Sequence, residues 1–227
     1  MNKVQYLAIK RAIIVKCRLL EKIGYFIGTW GNVSVRVKEG FIITPSRIAY
    51  DVLAPGDFVT LDIEGTVLSG HRLPSSETET HRAIYRIRPD VDVVIHSHSP
   101  YASAVSCLHW SIPPIVEDMA QVVGGKVNCA RYAPGGDHIK VARAVAASIG
   151  QVNAVLLANH GVVTCGRDLD EAFVTAQILE KAALMLLLAS AVKKPYSIPA
   201  HYVKEERHRY LYKYGTAKDF QRTPGER

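Results

Sequence analysis

Three histidines and one glutamate stand out as side chains whose types and spacing could do chemistry. In "VVIHSHSP", Val93 to Pro100, His96 and His98 lie one residue apart in a β-branched run. Alternate residues of a strand point the same way, so both imidazoles leave one face of the sheet. That spacing suits two ligands on one transition-metal ion. Taken alone, two polar histidines near a strand end explain the pair equally well. His160, in "ANHGVV", follows the apolar run "AVLLA" and precedes Gly161, which would let the backbone turn sharply. A strand end is where a rigid sheet can present a ligand, although a lone histidine there is more often structural. Glu77, in "LPSSETETH", falls in the first turn of an expected helix, where local evidence favours plain capping at the positive end of the helix dipole. His81, four residues on and on the same helical face, reads as a supporting or packing residue.

The elements that must position these groups follow from periodicity. Val4 to Ile23 has the apolar spacing of an amphipathic helix ending near Gly24. "NVSVRV" and "FIITPS" read as a hairpin around Glu39 and Gly40, and "FVTLDIEGTVLSG" as two short strands around Glu64 and Gly65. A helix follows over "SSETETHRAIYRIR", closed by Pro89 and Asp90, then a strand from Val91 to Ser97 and a helix from Tyr101 to Leu108. "NAVLLANHG" is another strand, and "DLDEAFVTAQILEKAALMLLLASAVKK" a long helix with Asp168 as N-cap. Hairpins mixed with crossover helices imply a sheet at least partly antiparallel and covered by helices.

Composition narrows the function classes. The 227 residues are 48% hydrophobic and 22% charged, with no repeat or low-complexity tract. A single domain over residues 1–227, with a C-terminal tail from about 200, is expected. The net charge of +7 invites a nucleic-acid partner, yet Lys and Arg are dispersed and interleave with acids in "EERHRYLYKYG". With no nucleic-acid motif beside them, a small anionic substrate accounts for the charge as well. The longest apolar run, Ala182 to Val192, is too short to span a bilayer, so no membrane association is expected. The N-terminus lacks the uninterrupted apolar core of a secretory leader. Cys17, Cys107, Cys129 and Cys165 are scattered without a CxxC pair, which fits a reducing cytoplasm. No GxSxG marks a hydrolase.

In combination the soft signals become specific. "GNVS" (Gly31 to Ser34), "ITPS" (Ile43 to Ser46), "LPSSE" (Leu73 to Glu77), "HSH" (His96 to His98) and "NHG" (Asn159 to Gly161) occur in the order that resembles the class II aldolase/adducin family. The likeness is to its sugar-phosphate aldolase branch and runs from the first helix to at least Ala176. It implies an α/β fold, a three-layer αβα sandwich with a mainly antiparallel central sheet. It also implies one divalent metal ion per subunit, usually zinc, with manganese or cobalt as alternatives, on His96, His98 and His160. Three histidines with an open position are what a catalytic metal needs. Glu77 matches the family's acid/base, which also touches the metal when substrate is absent.

The same resemblance implies a phosphate site at Thr29, Asn32, Thr44, Ser46, Arg47, Ser75 and Ser76, a cradle of hydroxyls, an amide and backbone N–H groups near a helix start. Arg47 stands where the family usually has glycine; it could add a charge-assisted contact or crowd the pocket. The implied reaction is reversible cleavage of a ketose 1-phosphate, L-fuculose 1-phosphate or a 5-deoxy or 5-methylthio pentulose 1-phosphate, to dihydroxyacetone phosphate and an aldehyde. Glu117 occupies the place of a proton-donating tyrosine in those aldolases. It reads either as an ordinary loop residue or as a carboxyl acid/base, which would favour methylthioribulose-1-phosphate dehydration. Phosphotetronate decarboxylation and a non-enzymatic, adducin-like scaffold are the other readings. Tyr214 best matches a C-terminal tyrosine reaching a neighbouring subunit's site, and the family implies a cytoplasmic homotetramer with sites at subunit interfaces.

Overall fold

The computed structural model describes residues 2–215. Helix α1 (Lys3–Lys22) is closed at its start by a reciprocal cap: Asn2 accepts from the Gln5 N–H, and Gln5 accepts from the Asn2 N–H. Its buried stripe is Ile13, Ile14, Cys17 and Leu20. Strands β1 (Asn32–Val37) and β2 (Gly40–Ile43) form the first hairpin, and β3 (Val59–Leu61) and β4 (Val67–Ser69) the second. Helix α2 (Thr78–Ile87), strand β5 (Val93–Ser97) and helix α3 (Pro100–Cys107) follow. A π-helical segment, Met119–Val123, leads to β6 (Cys129–Ala130), α4 (His138–Ile149), β7 (Ala154–Leu157) and β8 (Gly161–Gly166). Helices α5 (Leu169–Ser190) and α6 (Ala200–Tyr212) complete the described chain.

All eight strands join one sheet in the order β4-β3-β2-β1-β5-β8-β7-β6. The expectation of a mainly antiparallel sheet is corrected to a mixed one, because β6 pairs with β7 in parallel beside antiparallel neighbours. The reason is the connection: a parallel return needs a crossover, and α4 supplies it between β6 and β7. Strand β5 shows how the sheet divides its faces. Val94 packs with Ile84 and Tyr85 of α2 and with Val141 and Val145 of α4. Val93 and Ile95 point the other way, into a cluster with Ile13, Cys17 and Leu20 of α1. By the same alternation His96 shares the α2 face with Val94.

Helix α5 is long and apolar enough, by composition, to cross a membrane. Here its alanines and leucines pack with α3, β7 and β8 instead. Two of its buried residues are charged and satisfied: Glu171 with Arg167, and Glu180 with the first N–H groups of α3. The expected C-terminal tail from about 200 begins with a helix. Residues 200–212 form α6, which packs against the π-helical segment, with Arg207 donating to the carbonyls of Gln121 and Val122.

Candidate metal centre and substrate pocket

Strands β1 and β5 pair in a register that sets Asn32 opposite His96. Directly opposed residues share a face, so the two side chains stand together on the α2 side of the sheet. His98 lies just past the end of β5, its backbone N–H held by the Tyr25 carbonyl at 3.0 Å. His160 comes from the tight turn between β7 and β8. The sharp bend there belongs to Asn159, whose φ of 56° is left-handed. Asn159 is held by a 2.6 Å hydrogen bond between its Oδ1 and His109 Nε2. Gly161 matters for a different reason than the turn: a Cβ there would sit 2.6 Å from the Ser97 carbonyl oxygen and 2.7 Å from the His98 ring.

These elements bring three imidazoles into one group, with one nitrogen from each lying within 4.8 Å of the others. His96 Nε2 is 2.9 Å from His98 Nε2, and the ring centroids are 4.7 to 5.3 Å apart. The Nδ1 of His96 donates to the Val162 carbonyl at 3.1 Å, which leaves its Nε2 as a bare lone pair facing the cluster. Burial, with His98 and His160 alongside, pushes His96 well below its ordinary pKa; burial and His160 lower His98. Three imidazole nitrogens gathered this closely beside a carboxylate form a donor set that a cation between them would hold together. The donor set therefore fits a divalent transition metal held by His96, His98 and His160.

Glu77 does not cap its helix. It occupies the residue before α2 without a side-chain capping bond, and its carboxylate turns toward the histidines. One oxygen lies 3.0 Å from His96 Nε2 and the other 3.3 Å from His160 Nε2, while Asn32 Nδ2 donates to the first at 3.1 Å. The capping preference fails because Asn32 gives the carboxylate a donor, and a cation on the histidines would attract it more strongly than the dipole alone.

The cluster floors a cavity of about 540 Å³. Of the expected phosphate residues, Thr29, Asn32, Ser46, Arg47, Ser75 and Ser76 line it. Arg47 takes a left-handed φ of 61°, a conformation that glycine adopts without strain. Thr44 lies outside the lining. Its hydroxyl accepts from the Val33 N–H at 3.2 Å and its carbonyl from the Ser75 N–H at 3.1 Å, so it staples β1 to the serine loop. Two other expected residues are not brought to the histidines within this chain. Glu117 is exposed just before the π-helical segment, and Tyr214 is exposed beyond α6, its ring 6.1 Å from that of Tyr210. Sequence reading missed Trp30, which is 65% exposed with its ring 6.1 Å from that of His98, and Gly135 and Gly136, which also line the cavity. The "PGGD" turn was the available signal for the glycines.

Residues 11–187 match the pattern of the Class II Aldolase and Adducin N-terminal domain. An L-fuculose phosphate aldolase of Haemophilus influenzae is 36% identical over 197 residues, covering 86% of this chain and 89% of that one. A 5-methylthioribulose-1-phosphate/5-deoxyribulose-1-phosphate aldolase of Rhodospirillum rubrum is 34% identical over 218 residues, 96% of each chain. A solved L-fuculose 1-phosphate aldolase superposes with a TM-score of 0.85 at 33% identity, covering 90% of this chain and 97% of that one.

Proposed function

The chain belongs to the class II aldolase and adducin N-terminal domain family, and from that premise we propose that it is a lyase cleaving a ketose 1-phosphate reversibly to dihydroxyacetone phosphate and an aldehyde. The observation that carries this reading is the Glu77 carboxylate, 3.0 and 3.3 Å from two members of a three-imidazole cluster at the floor of a polar cavity. Relatives named for L-fuculose phosphate and for methylthio- and deoxyribulose phosphates support the substrate class. Helices packed on both faces of the sheet support a three-layer αβα reading of the single domain.

His96, His98 and His160 would hold one dication, zinc by preference, with manganese or cobalt able to accept the same donors. When bound, it supplies Lewis-acid stabilisation of negative charge developing on substrate oxygen. The chain's own residues do the rest. Asn32, Ser46, Arg47, Ser75 and Ser76 orient the phosphate at one end of the cavity, with Thr29 at its rim. As the C3–C4 bond breaks, its electron pair stays on C3 and the C4 hydroxyl gives up its proton to become the aldehyde. Glu77 delivers a proton to C3; in synthesis it removes that proton. Glu117 and Tyr214 remain candidates for proton transfer at the aldehyde oxygen only across a subunit interface, as a homotetramer with sites between chains would provide. A cytoplasmic setting accords with the free cysteines.

The test is a substrate panel. Metal-loaded protein is offered the 1-phosphates of fuculose, ribulose, 5-deoxyribulose and methylthioribulose, with dihydroxyacetone phosphate and loss of water both assayed. Release of dihydroxyacetone phosphate is expected. Dehydration without cleavage would replace the aldolase with the dehydratase reading.

A further inference from the structure

We propose that His81 is a positioning residue: through Asn32 it holds the Glu77 carboxylate in the orientation from which that group exchanges a proton with substrate. The inference rests on the aldolase reading for the role of Glu77, and on hydrogen-bond geometry for everything behind it.

Asn32, Ser34, His81 and Tyr85 are all buried. Glu77 and His81 are four residues apart and so lie on one side of α2, facing β1. There Asn32 and Ser34, two residues apart, present matching polar groups. The chain of contacts is continuous. Asn32 Nδ2 reaches Glu77 at 3.1 Å, Asn32 Oδ1 lies 2.5 Å from His81 Nε2, His81 Nδ1 lies 2.6 Å from Ser34 Oγ, and Ser34 Oγ lies 2.7 Å from the Tyr85 hydroxyl.

Its direction is forced from the Glu77 end. An ionised carboxylate only accepts, so Asn32 must turn its amide nitrogen to Glu77 and its oxygen to His81. His81 must then carry its proton on Nε2. Burial lowers the His81 pKa to about 3, so the ring is neutral and Nδ1 is an acceptor for Ser34, which in turn accepts from Tyr85. Every hydrogen bond therefore points toward Glu77. A packing role would be served at lower cost by an apolar side chain, since each buried polar group here must find a partner. Asn32 by itself could swing away from Glu77; the hydrogen bond from His81 Nε2 to its Oδ1 is what holds the amide in place.

The test uses the metal-loaded protein and three variants. In the wild type, ¹⁵N NMR of the His81 ring should show Nε2 protonated and Nδ1 bare. The opposite tautomer would overturn the proposal whatever the substrate. Solvent deuterium exchange into C3 of dihydroxyacetone phosphate, without any aldehyde, reads the Glu77 step alone. His81→Leu should slow that exchange and kcat about 100-fold, the usual cost of a misplaced group, with metal content unchanged. His81→Gln, which can still donate to Asn32, should recover most of the rate. Exchange at the wild-type rate in His81→Leu, or an equal fall in His81→Gln, would refute the role. If His81→Leu fails to fold, Ser34→Ala carries the same test, because it frees the tautomer while leaving the ring in place: slowed exchange supports the proposal and unchanged exchange overturns it. Absence of exchange in the wild type would instead count against the aldolase reading, and the tautomer measurement would still decide the hydrogen-bond chain.

Discussion

Two buried polar clusters lie at opposite ends of β5, and they are built on opposite plans. At its start Arg88, almost wholly buried, makes five hydrogen bonds: two to Asp90, one each to the carbonyls of Gly150 and Val152, and one to Asn153 Oδ1. A guanidinium has five N–H donors, so this group is fully satisfied. At the other end of β5, His96, His98 and His160 each turn one ring nitrogen toward a common centre, with the Glu77 carboxylate beside them. A satisfied network ties elements together, here α2, β5 and the entry to β7. A cluster of ring nitrogens beside a carboxylate, opening on a cavity, keeps room for a cation and a substrate. The contrast tells structural burial from functional burial without reference to residue type.

Substitutions should separate the two clusters, beginning with the largest effect. Glu77→Gln keeps the shape of the side chain and removes its proton exchange. Turnover should drop roughly 10²- to 10⁴-fold while metal content and melting temperature hold. Arg88→Met should do the reverse. It strands Asp90, Asn153 and two carbonyls, and should cost about 3 kcal/mol in urea unfolding, with kcat per folded molecule unchanged. Gly161→Ala sits between these outcomes. Its Cβ would press on the Ser97 carbonyl and the His98 ring, costing about 1 to 3 kcal/mol and weakening metal affinity measured by competition with a chelator.

The smallest effect is a pH effect at the satisfied end. The hydrogen bond from Arg88 holds the Asp90 carboxyl below its ordinary pKa. Its folded value thus lies below its unfolded value of about 3.9, so the stabilisation is fully present above that pH and is lost as pH falls through the folded value. Asp90 is half-exposed, so the contribution is modest. Asp90→Asn should lower the neutral plateau of a stability-versus-pH curve modestly and leave its acid end little changed, so that the acid limb flattens.

Much of this was legible from the chain. Alternating or continuous apolar runs located β1, β2 and β5, Asp168 marked the start of α5, and "HSH" announced two side chains on one strand face. What escaped was whatever depends on partners distant in sequence. Glu77 read as a cap because capping is local, whereas Asn32 and the histidines that draw it away are remote. The Asn32–His81–Ser34–Tyr85 chain has no local signature, since it is made by the register of β1 against α2. Helix α6 read as tail because it buries only Val203 among polar residues, so hydrophobic periodicity was nearly silent. The short β6, two residues long, was invisible for want of length, and with it the parallel pairing.

The most direct measurement is metal stoichiometry coupled to chelation. Purified protein should carry one dication per chain, lose dihydroxyacetone phosphate formation on exhaustive chelation, and regain it on adding zinc back. His98→Ala should bind no metal tightly under the same conditions. Full activity after chelation, or undiminished metal binding in His98→Ala, would contradict the claim that these three imidazoles share an ion.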